Sequence, residues 1–276
     1  MKSIMNYIGN KYRLLPQMLE LFPKTSKNFL DLFAGGLDVS INYDANKKVA
    51  NDINRYVIGI YETFQEYPYE FIMTYLKEKQ EEYHLSKTNK EAYLKFRNYY
   101  NNSDRNPLDL YLLMNYSFNY QIRFNNNHEY NNPFGANRSS WNSSLQNRLK
   151  GFVTLIKDIE FTSLDFREVN YKEFDFIYAD PPYSLSVGSY NDGKRGFKGW
   201  NLQDDIELME MLDLVDTRGI KFALSNVLVH KGRTHIELLN WSEKYNVHDM
   251  KCTYNNSNYQ TTASNYETRE VLITNY

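Results

Sequence analysis

Of 276 residues only one is cysteine, Cys252. A lone thiol closes no disulfide within the chain and leaves no cysteine cluster for zinc. The five histidines are scattered. His230 and His235 lie close together on a loop-to-helix segment without further ligands, so no metal site is expected. No apolar run approaches the ~20 residues that a membrane span needs. The opening MKSIMNYIGNKYRLL has no signal-peptide apolar core and no small-residue cleavage site, and the cytoplasm is the expected compartment. Neither sign of charge is in excess: the net charge is −2 and the pI about 6.2. Bulk charge of that kind does not hold nucleic acid, so any such partner requires basic residues gathered locally.

What is present reads as a globular α/β chain, long enough for one large domain or a core carrying an insertion. Lys11 to Phe22 has helical spacing, with Pro16 tolerated in the first turn. Asn28 to Phe33 (NFLDLF) is a short strand, AGG a turn, Leu37 to Tyr43 a helix, and Lys47 to Ala50 a second strand ending at Asn51-Asp52. That order is the first half of a doubly wound sheet. From Asn54 to about Tyr120 the periodicity is helical, broken at Pro68, around Ser86-Thr88 and from Asn101 to Pro107. QIRFNNNHEYNNPFGANRSS then reads as a hairpin or extended loop, and Ser140 can cap a helix from Trp141 to Lys157. Strands follow at Ile159–Thr162, Phe174–Ala179, Lys221–Ser225, Val247–Thr253 and Glu270–Thr274, with helices at Leu202–Asp216 and His235–Tyr245. The expected organisation is a sheet domain over 1–54 and 158–276, interrupted by a mostly helical domain over 55–157 with a β-hairpin around 121–138.

Four stretches carry the chemistry. FLDLFAGG followed by NDIN places small residues where backbone can approach a ligand and a carboxylate, Asp52, at the next strand tip, where it can bind ribose hydroxyls. The G-x-G-x-x-G fingerprint is missing, so nothing here is made for a pyrophosphate. A nucleoside without phosphates, such as S-adenosyl-L-methionine, fits better, and an ordinary βαβ turn is the plain alternative. In FIYADPPY, Pro181 and Pro182 fix φ and remove backbone donors. Asp180 and the carbonyls beside it then form a pocket edge able to hold both hydrogens of an amino group, and Tyr183 offers a flat face for a base. NYIGNKY, taken alone, is a flexible start before a helix. The asparagine-rich segment gathers Arg123, Arg138, Arg148 and Lys150, opposed between residues 116 and 150 only by Glu129. Asn and Arg make bidentate contacts to adenine and guanine edges; a solvated polar loop is the alternative.

In this order the motifs resemble the DNA adenine methylase (Dam-like) family of S-adenosyl-L-methionine-dependent N6-adenine methyltransferases, over nearly the whole chain. YIGNK, DLFAGG with NDIN, LDF at Leu164 to Phe166, IYADPPY, LSN at Leu224 to Asn226 and FNYQIRFNNNHEYNNPFG carry the resemblance. It implies a Rossmann-like methyltransferase sheet with an inserted DNA-recognition domain, S-adenosyl-L-methionine as cofactor and double-stranded DNA as partner. By resemblance, Tyr7 and Lys11 close the cofactor site and Phe33, Ala34, Gly35 and Gly36 shape the turn beneath it. Asp52 binds its ribose, Asp165 and Phe166 contact its adenine, and Asp180 stands between cofactor and target base. Asp180, Pro181, Pro182 and Tyr183 are the expected catalytic set, and Arg123, Asn126, Asn127, Asn132 and Arg138 the expected DNA contacts. The chain departs from the family's F-x-G-x-G at Leu37, which stands where the last glycine belongs.

The expected reaction is methyl transfer to N6 of a flipped adenine. Hydrogen bonds from the amino group to Asp180 and the Pro181 carbonyl would localise its lone pair toward the methyl. Cytosine N4, an RNA or protein amide, and a DNA-binding protein that has lost catalysis are the alternatives; intact Lys11, Asp52 and Asp180 speak against the last.

Overall fold

The computed structural model describes residues 1–7, 9–186, 199–251 and 268–276. Its frame is a single sheet in the order β3-β2-β1-β4-β5-β8-β7. The strands are β1 (Ser26–Asp31), β2 (Ala45–Asn51), β3 (Ile159–Thr162), β4 (Phe176–Ala179), β5 (Lys221–His230), β7 (Asn246–Asp249) and β8 (Thr268–Thr274), with a two-residue β6 (Arg233–Thr234) hanging from β5. The pairs from β3 through β5 are parallel, and β8 runs antiparallel between β5 and β7. Strand order reverses between β1 and β4, which makes their carboxyl ends the switch point where ligands of open α/β sheets bind. This is the Rossmann-like sheet expected from the sequence.

Both faces of the central strands are covered, so they read as continuous apolar runs. Leu30, Ile177, Ala179, Phe222, Leu224, Val271 and Ile273 point toward helices α7 (Leu202–Thr217) and α8 (Ile236–Ser242). Phe29, Phe176, Tyr178, Ala223 and Leu272 point the other way and pack with α1 (Leu15–Leu21). Helices α2 (Arg55–Glu66), α3 (Tyr69–Glu82), α4 (Lys90–Asn102), α5 (Pro107–Tyr116) and α6 (Ser143–Ile156) form a block whose core continues onto Ala50 and Ile159 at the β2–β3 edge. Asparagine side chains open α2, α4, α5 and α6 by accepting backbone N–H bonds, the role for which their short carboxamide suits them. None of the described helices is long and apolar enough to cross a membrane.

Several local expectations need correction. Leu37 to Tyr43 forms turns rather than a helix, because Leu37 takes φ +64°, a left-handed conformation that cannot continue a right-handed helix. The helix after the hairpin is capped by Asn142, not Ser140, and starts at Ser143. The expected strand Val247–Thr253 is Asn246–Asp249 among the described residues; its last two positions, Cys252 included, lie outside them. The expected β-hairpin consists of two isolated antiparallel bridges, Ser117↔Phe134 and Phe124↔Tyr130, rather than a continuous ladder. The reason is competition from α4: Asn101 exchanges two bonds with the Tyr130 backbone, and Tyr93 and Arg97 both donate to the Asn132 carbonyl.

Candidate active site at the carboxyl ends of the central strands

The β4 run FIYA is buried throughout and stops at Asp180, because Pro181 and Pro182 can donate nothing to a ladder. The chain therefore delivers Asp180 to the switch point with its side chain 17% exposed. Lys11 arrives from the N-terminal segment, where its carbonyl accepts the Leu14 and Leu15 N–H groups at the start of α1. Its ammonium turns inward, 2.8 Å from Asp180 Oδ2 and bonded to the Gly9 carbonyl at 3.0 Å. The Tyr183 hydroxyl donates to Asp180 Oδ1 at 2.8 Å, and Lys11 Nζ lies 5.0 Å from the Tyr183 ring centroid. Glu270, on β8, completes the cluster: its Oε1 is 3.7 Å from Lys11 Nζ and 3.4 Å from the Tyr183 hydroxyl.

Burial raises the Asp180 carboxyl above the usual carboxylate range, Lys11 and the Tyr183 bond pull it back, and the Glu270 charge pushes it up again. The Tyr183 phenol is driven well above its ordinary value by burial and then by Asp180 and Glu270. The arrangement is a hydrogen-bond acceptor braced by one cation and one hydroxyl, in a place where water is sparse.

Beside it runs the turn after β1. Gly35 takes φ +44°, where a side chain is strained. A Cβ on Gly35 would lie 3.0 Å from the Tyr7 ring, and one on Gly36 3.0 Å from Tyr7 Cβ, so both glycines let this turn pass directly under Tyr7. Ala34 N–H bonds to the Asn51 carbonyl, tying the turn to the tip of β2. Asp52 is buried; its Oδ2 accepts the Gly35 N–H at 2.9 Å and its Oδ1 the Asn54 N–H at 2.8 Å. Desolvation raises its affinity for a proton, and those two N–H groups oppose the rise. Tyr61 of α2 donates to the Gly35 carbonyl at 2.5 Å. Leu37, in place of the family's glycine, keeps the left-handed backbone that glycine would take and buries its side chain fully.

Phe33 and Phe166 do come together, with ring centroids 5.9 Å apart, and Trp200 joins them at 5.4 and 5.5 Å. Asp165 is otherwise engaged: it caps the short turn Phe166–Glu168 and pairs with the Arg167 guanidinium at 2.9 and 3.1 Å. Of the expected DNA contacts, Asn126, Asn127 and Arg138 are exposed and Arg123 is half-buried. Asn132 is a correction: it is fully buried, and its amide donates to the Phe118 and Gln121 carbonyls. That side chain holds the loop's shape and presents nothing to a base.

Three site residues escaped sequence reasoning: Glu270, Trp200 and Asp31. Asp31 ends β1 with Oδ2 accepting from Ser40 at 2.6 Å, and its buried Oδ1 has no hydrogen-bond partner among the described residues. Burial carries its carboxyl up to about 7. An acid inside the apolar runs NFLDLF and REVLIT was the signal available for Asp31 and Glu270. Among the described residues no group of acids, histidines and cysteines could hold a metal ion.

Comparison with known proteins finds relatives along most of the chain. The family model described as D12 class N6 adenine-specific DNA methyltransferase aligns with residues 7–256. The chain is 48% identical to the type II methyltransferase M.FokI of Planomicrobium okeanokoites over 280 residues and 46% identical to the modification methylase StsI of Streptococcus sanguinis over 282. Both alignments take in all of this chain but 43% of the relative, so the chain spans less than half the length of either protein. A DNA adenine methylase of Vibrio cholerae is 25% identical over 82% of the chain and 81% of its own length. A model match from residue 7 to residue 256, on a fold whose switch point carries Asp180-Pro-Pro-Tyr, leaves one conclusion: the chain belongs to the D12 class N6 adenine-specific DNA methyltransferase family.

Proposed function

We propose that the chain transfers the methyl group of S-adenosyl-L-methionine to N6 of an adenine flipped out of duplex DNA. The observation that carries this reading is the Asp180 carboxylate, braced by Lys11 and Tyr183 yet partly open, at the strand tip where the order of the sheet reverses.

The residues fit the cofactor. Gly35 and Gly36 leave a turn without side chains, Asp52 stands at the neighbouring strand tip, and Phe33, Phe166 and Trp200 offer aromatic walls. The unpartnered Oδ1 of Asp31 suits an ammonium donor. S-adenosyl-L-methionine supplies an electrophilic methyl on a sulfonium, its own leaving group. Tyr7 and Lys11 border that site, and Asp52, Phe166 and, through its capped turn, Asp165 hold the nucleoside end.

On the substrate side, Asp180 accepts one hydrogen of the adenine amino group and the Pro181 carbonyl the other. Two acceptors aimed at one nitrogen hold its lone pair out of the ring and toward the methyl, so alignment supplies much of the acceleration. Pro182 keeps the segment free of competing donors, and the Tyr183 ring gives the extruded base a wall to stack on. Residues 55–157 form the target-recognition lobe, with Arg123, Asn126, Asn127 and Arg138 toward duplex DNA. The names of the relatives support a place in modification of DNA at specific sites.

The test is incubation of duplex DNA with protein and labelled S-adenosyl-L-methionine, followed by nucleoside mass spectrometry, with Asp180→Ala beside the wild type. Label in N6-methyladenine that falls by about 10²–10³ in the variant supports the reading. Label in N4-methylcytosine, or none on any DNA, overturns it.

A further inference from the structure

Asp180 does not wait for its substrate unoccupied. One oxygen is paired with the Lys11 ammonium at 2.8 Å and the other accepts the Tyr183 hydroxyl at 2.8 Å. Both donors draw charge away from the carboxylate and pin its plane, which weakens it as an acceptor for a third group. Yet the same two donors face a second carboxylate: Glu270 Oε1 lies 3.7 Å from Lys11 Nζ and 3.4 Å from the Tyr183 hydroxyl. Each is one short movement, less than an ångström, from a full hydrogen bond to Glu270.

Glu270 is a carboxylate on a strand that is otherwise apolar at this depth. Its strand continues as Val271, Leu272 and Ile273, all fully buried. Lys11 is already neutralised by Asp180, and a buried second carboxylate costs desolvation that an apolar side chain would not.

We propose that Glu270 is a positioning residue that takes over Lys11 and the Tyr183 hydroxyl as the target base arrives, releasing Asp180 to the amino group. The inference rests on the methyl-transfer reading above and adds to it the residue that switches Asp180 from a protein-held to a substrate-held state. No bond is made or broken in the exchange; two hydrogen bonds change acceptor. Among the described residues, the charged and titratable groups facing Asp180 are Lys11 from the N-terminal segment, Tyr183 beyond β4, Glu270 on β8, Tyr178 on β4 and Asp31 on β1. Of these only Glu270 can accept from both donors.

The experiment uses the full chain with Glu270→Gln and Glu270→Asp. A carbon-13 carboxyl titration, with Asp180 identified through Asp180→Asn, needs neither cofactor nor DNA. Loss of the Glu270 charge moves the Asp180 midpoint to lower pH in Glu270→Gln, whereas Glu270→Asp, which keeps the charge, leaves it near wild type. In single-turnover methylation both variants slow transfer by about ten- to a hundredfold, Glu270→Asp because its carboxylate stands one methylene too far back. Binding of S-adenosyl-L-homocysteine stays at the wild-type level in both. Wild-type transfer rates in Glu270→Gln, or slow transfer with the Asp180 midpoint unmoved, overturn the proposal. For a variant that does not fold, the other supplies the rate. A wild type that methylates no DNA counts against the reaction, while the titration separately judges the sharing of donors.

Discussion

The carboxyl end of the sheet and the helical block bury polar groups of opposite character. At the sheet end Asp180 and Glu270 flank the ammonium of Lys11, which is 5% exposed, and Asp31, itself buried, lies close to Asp180 and to the buried Asp52. The block instead buries neutral hydroxyls and amides: Tyr93 and Tyr130 donate to backbone carbonyls of the hairpin, and Asn115 donates within α5. Among the described residues from 55 to 157, Asp109 is the buried acid; burial lifts it to about 6 and Tyr75 holds it at 2.9 Å. Neutral groups satisfied by hydrogen bonds are a cheap way to give a helical block one shape, whereas buried charge costs several kcal/mol per ion unless it is paired. The charge is concentrated where bonds would be made.

The comparison breaks hardest at Lys11. Lys11→Met removes the ammonium that lies between Asp180 and Glu270. Removing one partner of a buried pair costs about 3–5 kcal/mol, so chemical denaturation should show a loss of that order. Asp180, deprived of its strongest stabilising neighbour, would rise in proton affinity, and methyl transfer would vanish near neutral pH. An equally stable variant would mean that the cluster is more open to water than its burial shows.

Asp31 gives the next largest effect, and one with a pH signature. Its carboxyl ionises at about 7 in the fold against an ordinary 3.8, because it is buried. The unfolded chain therefore releases this proton first. The group favours the fold fully below pH 3.8, and that advantage is lost as pH rises toward 7. Asp31→Asn keeps an acceptor for Ser40 and cannot ionise, so its stability relative to wild type should climb through this window by up to about 4 kcal/mol. Parallel stability curves for the two proteins from pH 4 to 7 would show that Asp31 is not desolvated.

The same contrast explains how much was legible in the sequence. The strand order and the site at Asp180 could be read because apolar runs ending in Asp-Pro-Pro-Tyr and in small residues have few other uses. The four helices from Arg55 to Tyr116 could be read from their periodicity and their breaks. Glu270 stood out only as an acid in an apolar run: the place of β8 beside β5 is set by sheet pairing, and nothing local in YETREVLITNY says that this acid faces Lys11. Asn132 misled for the opposite reason. A loop rich in asparagine looks like an interface, yet its amides are also the groups best able to bond a backbone that lacks a ladder. Which asparagine faces out is decided by α4, tens of residues earlier in the chain.

Leu37 tests the join between the two regions. A left-handed non-glycine residue costs on the order of 1–3 kcal/mol, and Leu37→Gly would recover part of it. The same change deletes a side chain that is 0% exposed and packs in the core shared by sheet and helices. Truncating a buried leucine costs about 2–5 kcal/mol, so the packing loss wins and the variant should be less stable by roughly 1–3 kcal/mol. A variant of higher melting temperature would reverse that order and make the strain, not the packing, the dominant contribution at this turn.

The smallest effect on stability, and the sharpest on recognition, belongs to the rim of the block. Arg138 is exposed and its guanidinium makes no hydrogen bond or ion pair with the described residues, while its carbonyl accepts from Tyr120. Arg138→Ala leaves that backbone bond in place, so stability should move by less than about 0.5 kcal/mol. If the side chain meets a phosphate, duplex affinity falls similarly for all sequences and the slope of log affinity against log salt drops by about one. If it meets a base edge, the loss is confined to the recognised sequence and amounts to about 1–3 kcal/mol. In both cases binding of S-adenosyl-L-homocysteine is untouched, because the guanidinium belongs to the neutral-cored block and not to the charged end of the sheet. Equal losses of DNA and cofactor binding would show that the two regions are not separate in function, and the division of charge between them would then need another explanation.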